Sequence, residues 1–265
     1  MPRDPHRDQP VLLGGAPLAE AAGALVLLHG RGGSAQDMLA LARDLQPSPP
    51  APTSPPDPVS SPSPTSPPDP LSATRRGASP PDPLSLRERG NSPRTEGSGR
   101  GLAWLVPEAA GRLWYPYSLL EKPERNRPHL SSALALVTRV LEKIAAAQLG
   151  PERVVLLGFS QGASVALEFA ARNATRYGGL VALSGALLGP EGTPRDYPGS
   201  LAATPLFLGH GDSDPNLPKR RVDETATVFA RLGATVTQRV YPGLGHAIHP
   251  DEIAVARGMV DQVNR

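Results

Sequence analysis

Residues 154–170 read VVLLGFSQGASVALEFA. Val154–Leu157 is an apolar run of strand length. It stops at Gly158-Phe159-Ser160-Gln161-Gly162, and a stretch of small, helix-compatible residues begins at once with Ala163. A short continuous apolar segment that turns sharply into a helix is the βα unit of a parallel sheet. A serine between two glycines at that turn has two readings. The glycines permit a tight turn and the serine caps the helix, or the turn holds the serine out as a nucleophile.

The same unit recurs on both sides. Ala24–His29 (ALVLLH) reads as a buried strand, and Ala35–Leu45 as a helix with Ser34 at its N-cap. Leu102–Val106 is a second strand, followed by an Ala/Leu-rich helix over Leu130–Leu149 that Gly150-Pro151 closes. After the quoted stretch come strands at Leu180–Leu183 and Pro205–Gly209, then a helix over Val222–Leu232 ending at Gly233. Thr235–Tyr241 alternates as an outer strand should, and Pro250–Val263 is a final helix. Val11–Leu13 is a candidate antiparallel edge strand. This order predicts an α/β fold with a mostly parallel central sheet and helices on both faces. In such sheets function collects beyond the C-terminal ends of the strands.

One segment breaks the pattern. Fifteen of the 33 prolines fall between Pro47 and Pro83, and SPPDP occurs at 54–58, 66–70 and 79–83. A polar, Gly-rich stretch continues to residue 100. Such a segment buries too little apolar surface to offset its chain entropy, so a disordered insert with polyproline II character is expected at about 47–100. It reads either as a ligand for an SH3-like groove or as a tolerated loop insertion, and the second reading needs no partner. The expected organisation is a single domain over 1–265, interrupted by this insert.

Composition narrows the chemistry. The net charge of +2, with no basic cluster interleaved with aromatics, argues against a nucleic-acid partner. The absence of cysteine excludes disulfides, thiolate metal sites and a cysteine nucleophile. The first 21 residues lack a signal-peptide core, and no apolar run reaches membrane-spanning length. A cytoplasmic protein without membrane insertion is expected.

Every strand end carries polar or glycine-rich sequence. Gly30-Arg31-Gly32-Gly33 follows the first strong strand, Ser160 the next motif, Asp212-Ser213-Asp214-Pro215 the strand at 205, and Leu244-Gly245-His246 the strand at 235. Ser, Asp and His in that chain order, each on a loop after a strand, match an α/β-hydrolase triad. A serine hydroxyl needs a neutral imidazole to take its proton, and the imidazole needs a carboxylate to fix its tautomer. The developing oxyanion needs amide donors, for which the N–H groups of Gln161, at a helix N-terminus, and Arg31, in the Gly-rich loop, are the candidates. Alternatives remain at this level. Either aspartate serves as a turn former. His249, before Pro250, reads as a cap, and His29 and His210 as backbone-bonded structural histidines. A metal site lacks any supporting His spacing.

Four motifs together, LLHGRGGSAQDM (27–38), GFSQGA (158–163), HGDSDPNLP (210–218) and YPGLGHAIHPDEI (241–253), resemble the phospholipase/carboxylesterase family of α/β-hydrolases, which includes acyl-protein thioesterases and small carboxylesterases. The resemblance covers most of the chain outside the insert. It implies Ser160 as nucleophile, His246 as base, Asp214 in preference to Asp212 as the orienting acid, and Arg31 and Gln161 as the oxyanion hole. It implies no cofactor and no metal. It also sets Arg112–Tyr117 beside the substrate pocket, so Trp114 and Tyr115 are candidate lining residues. A packed aromatic cluster is the other reading of that pair. The implied activity is cleavage of short to mid-length carboxylic esters, with thioesters or lysophospholipids as alternatives. An amidase or peptidase of the same fold, and a non-catalytic binding protein using the Pro-rich loop as an arm, are the rivals. The expected partner is a small-molecule ester, and a homodimer stays open.

Overall fold

The computed structural model describes residues 4–46 and 101–265, so the expected insert at about 47–100 lies outside the described residues. Seven strands form one sheet: β1 (Val11–Gly15), β2 (Gly23–Leu28), β3 (Leu102–Pro107), β4 (Val154–Phe159), β5 (Gly179–Leu183), β6 (Pro205–Gly211) and β7 (Thr235–Tyr241). Their spatial order is β1-β3-β2-β4-β5-β6-β7. Only β1 runs antiparallel, with Val11 opposite Pro107 and Gly15 opposite Ala103, as its edge-strand reading anticipated.

The sheet sorts its side chains by parity. On β2, Ala24, Val26 and Leu28 face one layer while Leu25 and Leu27 face the other. On β4, Val154 and Leu156 part in the same way from Val155 and Leu157. The first layer is closed by α2 (His129–Ala146), α3 (Gln161–Arg172) and α4 (Lys219–Arg231), through residues such as Leu136, Phe169 and Phe229. The second is closed by α1 (Ala35–Asp44) and α5 (Pro250–Val263), through Met38 and Val260. Because both faces are covered, β2, β3 and β5 are buried along their whole length. β7, at the edge, alternates between exposed and half-buried until Tyr241. This is why continuous apolar runs marked the inner strands and alternation marked the outer one.

Ser34 caps α1 as expected: its hydroxyl accepts from the Asp37 N–H, and the Asp37 carboxylate accepts from the Ser34 N–H. Helix α4 begins at Lys219, about a turn before the expected Val222. Lys219, Arg220 and Arg221 carry no apolar signal, yet Arg221 is buried and its guanidinium donates to the carbonyls of Leu187 and Gly189.

Candidate active site

Ser160 stands at the break between β4 and α3 with φ 55° and ψ −117°. A non-glycine residue at positive φ is strained and persists only where its surroundings over-determine it. Those surroundings are identifiable. The Ser160 N–H donates to the Leu183 carbonyl at 2.8 Å. A Cβ on Gly162 would sit 2.1 Å from the Leu28 carbonyl oxygen, and one on Gly158 would sit 2.4 Å from the Gly162 and Ala163 backbone. The glycines therefore allow α3 to press against β2 and β4. Ser160 makes no side-chain cap to α3. Its hydroxyl is free for other partners.

The partner is His246. Its Nε2 lies 2.8 Å from Ser160 Oγ, and its Nδ1 lies 2.7 Å from Asp214 Oδ2. The carboxylate requires a proton on Nδ1, which leaves Nε2 as the acceptor of the Ser160 O–H. The Asp214 side chain is wholly buried, and its Oδ1 accepts from the Asn216 N–H at 2.8 Å. The His246 ring rests against Phe159, with centroids 5.1 Å apart. Asp212 turns away, its Oδ1 accepting from the Gly243 N–H at 2.7 Å and from the Ser213 hydroxyl.

The other histidines take separate roles. His249 caps α5, accepting from the Asp251 N–H through Nδ1. His29 donates from Nδ1 to the Gly30 carbonyl and accepts the Ala109 N–H at Nε2. His210 departs from its expected backbone bonding: it is buried, and its Nδ1 has no hydrogen-bond partner among the described residues. Burial also lowers its pKa. Among the described residues no cluster of three or more His, Asp or Glu side chains could hold a metal ion.

The glycine-rich loop forms the opposite wall. The Gly33 N–H donates to the Gly30 carbonyl, and Gly32 takes φ +76°, its N–H donating to the Arg112 carbonyl at 2.9 Å. Among the described residues the N–H groups of Arg31 and Gln161 donate to no protein acceptor, as oxyanion donors would require. Both side chains do work that sequence reasoning did not assign. The Arg31 guanidinium donates to the carbonyls of Tyr115, Pro116 and Tyr117. The Gln161 amide accepts the Trp114 N–H and donates to the Tyr115 carbonyl at 2.8 Å. Nothing local to residue 31 or 161 announces these contacts, which join segments more than forty positions apart.

A cleft of about 380 Å³ opens beside Ser160, bounded by Gly30, Arg31, Tyr115, Gln161, Ser184, Leu217 and His246. Tyr115 lines it, and burial pushes its phenol up to about 12. Trp114 does not, which corrects its reading as a lining residue. Its indole is fully buried below the cleft wall and donates from Nε1 to the His29 carbonyl at 2.7 Å. An indole whose N–H has a backbone partner inside the core has no reason to face solvent. A larger depression of about 650 Å³ near Arg127, Arg172 and Tyr197 contains none of these groups, so size does not mark the site.

The profile of a family described as phospholipase/carboxylesterase matches residues 101–264. A phospholipase/carboxylesterase from Dyadobacter fermentans is 31% identical and superposes with a TM-score of 0.72, covering 96% of each chain. Acyl-protein thioesterase 1 of Debaryomyces hansenii is 32% identical over 133 residues, which is 50% of this chain and 57% of that protein. Its namesake from Gibberella zeae is 37% identical over 106 residues, 39% of this chain and 45% of the relative. The chain thus spans about half the length of the curated relatives it matches.

Proposed function

Since the chain belongs to the phospholipase/carboxylesterase family, we propose that it is a serine hydrolase that cleaves carboxylic esters through Ser160, His246 and Asp214. The observation that carries this reading is the hydrogen-bonded relay from Ser160 Oγ through the imidazole to a buried carboxylate.

Ser160 Oγ attacks the ester carbonyl carbon while its proton passes to His246 Nε2. Asp214 holds the imidazole in the receptive tautomer and stabilises the imidazolium. The oxyanion accepts from the Arg31 and Gln161 N–H groups, each contributing on the order of 3 kcal/mol to the transition state. The tetrahedral species collapses, and His246 returns the proton to the departing alcohol. Water then attacks the acyl-enzyme, again losing a proton to His246; as the bond to Ser160 Oγ breaks, His246 returns that proton to Oγ, and the carboxylic acid leaves. The open cleft supports short to mid-length acyl groups.

A second reading is a thioester or lysophospholipid substrate. The name acyl-protein thioesterase 1, borne by several relatives, favours thioesters, and a thiolate leaves without needing a proton from His246. We extend the proposal to one hydrolase domain built from the residues flanking 47–100, acting in the cytoplasm on a small ester. No described helix is long and apolar enough to cross a membrane.

A fluorophosphonate probe tests the reading against a non-catalytic binding protein. Wild-type protein should label at Ser160 and hydrolyse p-nitrophenyl esters. Ser160→Ala should lose both at an almost unchanged melting temperature, with a loss in kcat of about 10⁴-fold or more. Folded wild-type protein that takes no label would end the proposal.

A further inference from the structure

The mechanism leaves unused a buried histidine near the start of the chain. His6 is 0% exposed, and both of its ring nitrogens are occupied. The Ala110 N–H donates to its Nδ1 at 3.0 Å, so Nε2 carries the proton and donates to the Trp114 carbonyl at 3.2 Å. Its backbone is held as well. The His6 N–H donates to Ser132 Oγ at 2.7 Å, and Arg139 donates to the His6 carbonyl at 3.1 Å. Asp4 takes up the Ser132 hydroxyl and lies 3.7 Å from Arg139. At the far end of the segment, the Glu108 N–H donates to the Pro10 carbonyl.

His29 mirrors this arrangement from the other side. It accepts the Ala109 N–H at 3.0 Å, so two buried imidazoles grip consecutive amides, 109 and 110. The Trp114 indole packs against both, with ring centroids 5.0 Å from His29 and 5.6 Å from His6. The gripped turn reaches the cleft by two short routes. Arg112 presents its carbonyl to the Gly32 N–H, next to the Arg31 donor. Tyr115, next to Trp114, lines the cleft.

We propose that the segment Asp4–Pro10 is a latch and His6 its bolt: a positioning residue that sets the Tyr115 cleft wall and the Arg31 loop by holding the turn at 109–114. His6 is matched to this task only when neutral, because a proton on Nδ1 would confront the Ala110 N–H with a second donor. Burial lowers the pKa of His6, with His129 and Arg139 adding to the effect and the hydrogen bond to the Trp114 carbonyl and the Asp4 charge opposing it.

The test compares wild type, His6→Ala and His6→Gln by amide hydrogen exchange and by steady-state hydrolysis of p-nitrophenyl butyrate. His6→Ala should speed exchange at 108–117, leave β4–β6 protected, and raise KM or lower kcat so that kcat/KM falls roughly tenfold or more. His6→Gln keeps an acceptor beside an N–H donor and should restore most of both. A role confined to stability would lower the melting temperature and the active fraction but leave KM and the local exchange as in wild type; that result, or failure of Gln to rescue where Ala does damage, overturns the latch. The kinetic arm rests on the hydrolase reading, whereas exchange does not. Wild-type protein inert on esters would sink that reading, and exchange at 108–117 would still decide the latch.

Discussion

Asp212 and Asp214 sit two positions apart on one loop and point to opposite tasks. Asp214 delivers a buried carboxylate to His246 Nδ1 at 2.7 Å, while Asp212 ties down the Gly243 N–H at 2.7 Å in the turn after β7. One carboxylate holds the His246 ring. The other fixes the loop on which His246 is carried.

The two should therefore separate in kinetics. Asp214→Asn puts an amide against the imidazole and favours the wrong tautomer, so kcat should fall by about 10⁴-fold with a near-native fold. Asp212→Asn keeps a carbonyl acceptor for Gly243, and its kcat should stay within roughly tenfold of wild type. Steady-state hydrolysis of a p-nitrophenyl ester by both variants checks this. Equal losses would remove the distinction.

Glycine at 162 answers to a backbone contact. With the Leu28 carbonyl oxygen 2.1 Å from the Cβ position, Gly162→Ala should destabilise the protein by about 3 kcal/mol or more, or prevent folding. Gly258, exposed within α5 with nothing within 4 Å, is the control. Gly258→Ala should stabilise by about 0.5–1 kcal/mol. Chemical denaturation of the two variants reads both signs.

Glu252 makes stability depend on pH. Its carboxyl is buried at the start of α5, accepts from the His249 N–H through Oε2, and leaves Oε1 without a partner among the described residues. Burial pushes its pKa from 4.5 up to about 7. A folded pKa above the unfolded one means that the folded state favours the proton. The stabilisation is complete below about 4.5 and is lost as pH rises through about 7. Melting temperature should fall across that window in wild type, and Glu252→Gln, which cannot titrate, should flatten that fall. Parallel pH profiles would show that Glu252 does not control it.

Removing residues 47–100 and joining the flanks with a short Gly/Ser linker should leave esterase kcat/KM within about threefold of wild type. The composition of the segment gives it no core to contribute, and every group in the proposed mechanism lies outside it. A loss beyond tenfold with retained folding would make the segment part of the site.

Most of the architecture was readable along the chain because parallel strands buried on two faces must be short apolar runs, and glycines end them where helices turn back. Thr235–Tyr241 and Pro250–Val263 match their expected limits for that reason. Ser160, Asp214 and His246 were legible as candidates because each lies on the loop or turn after a strand, and the parallel sheet gathers such positions at one edge, where their side chains meet. Side-chain direction was not readable. It depends on which segments meet across the fold: the β6–β7 connection turns Asp212 to Gly243, and the core beneath the cleft claims Trp114. His6 lies 104 and 108 positions from its two ring partners. No periodicity, propensity or spacing acts over such distances, because local rules reach a few residues and hydrogen bonds of this kind exist only once the sheet has brought remote backbone together.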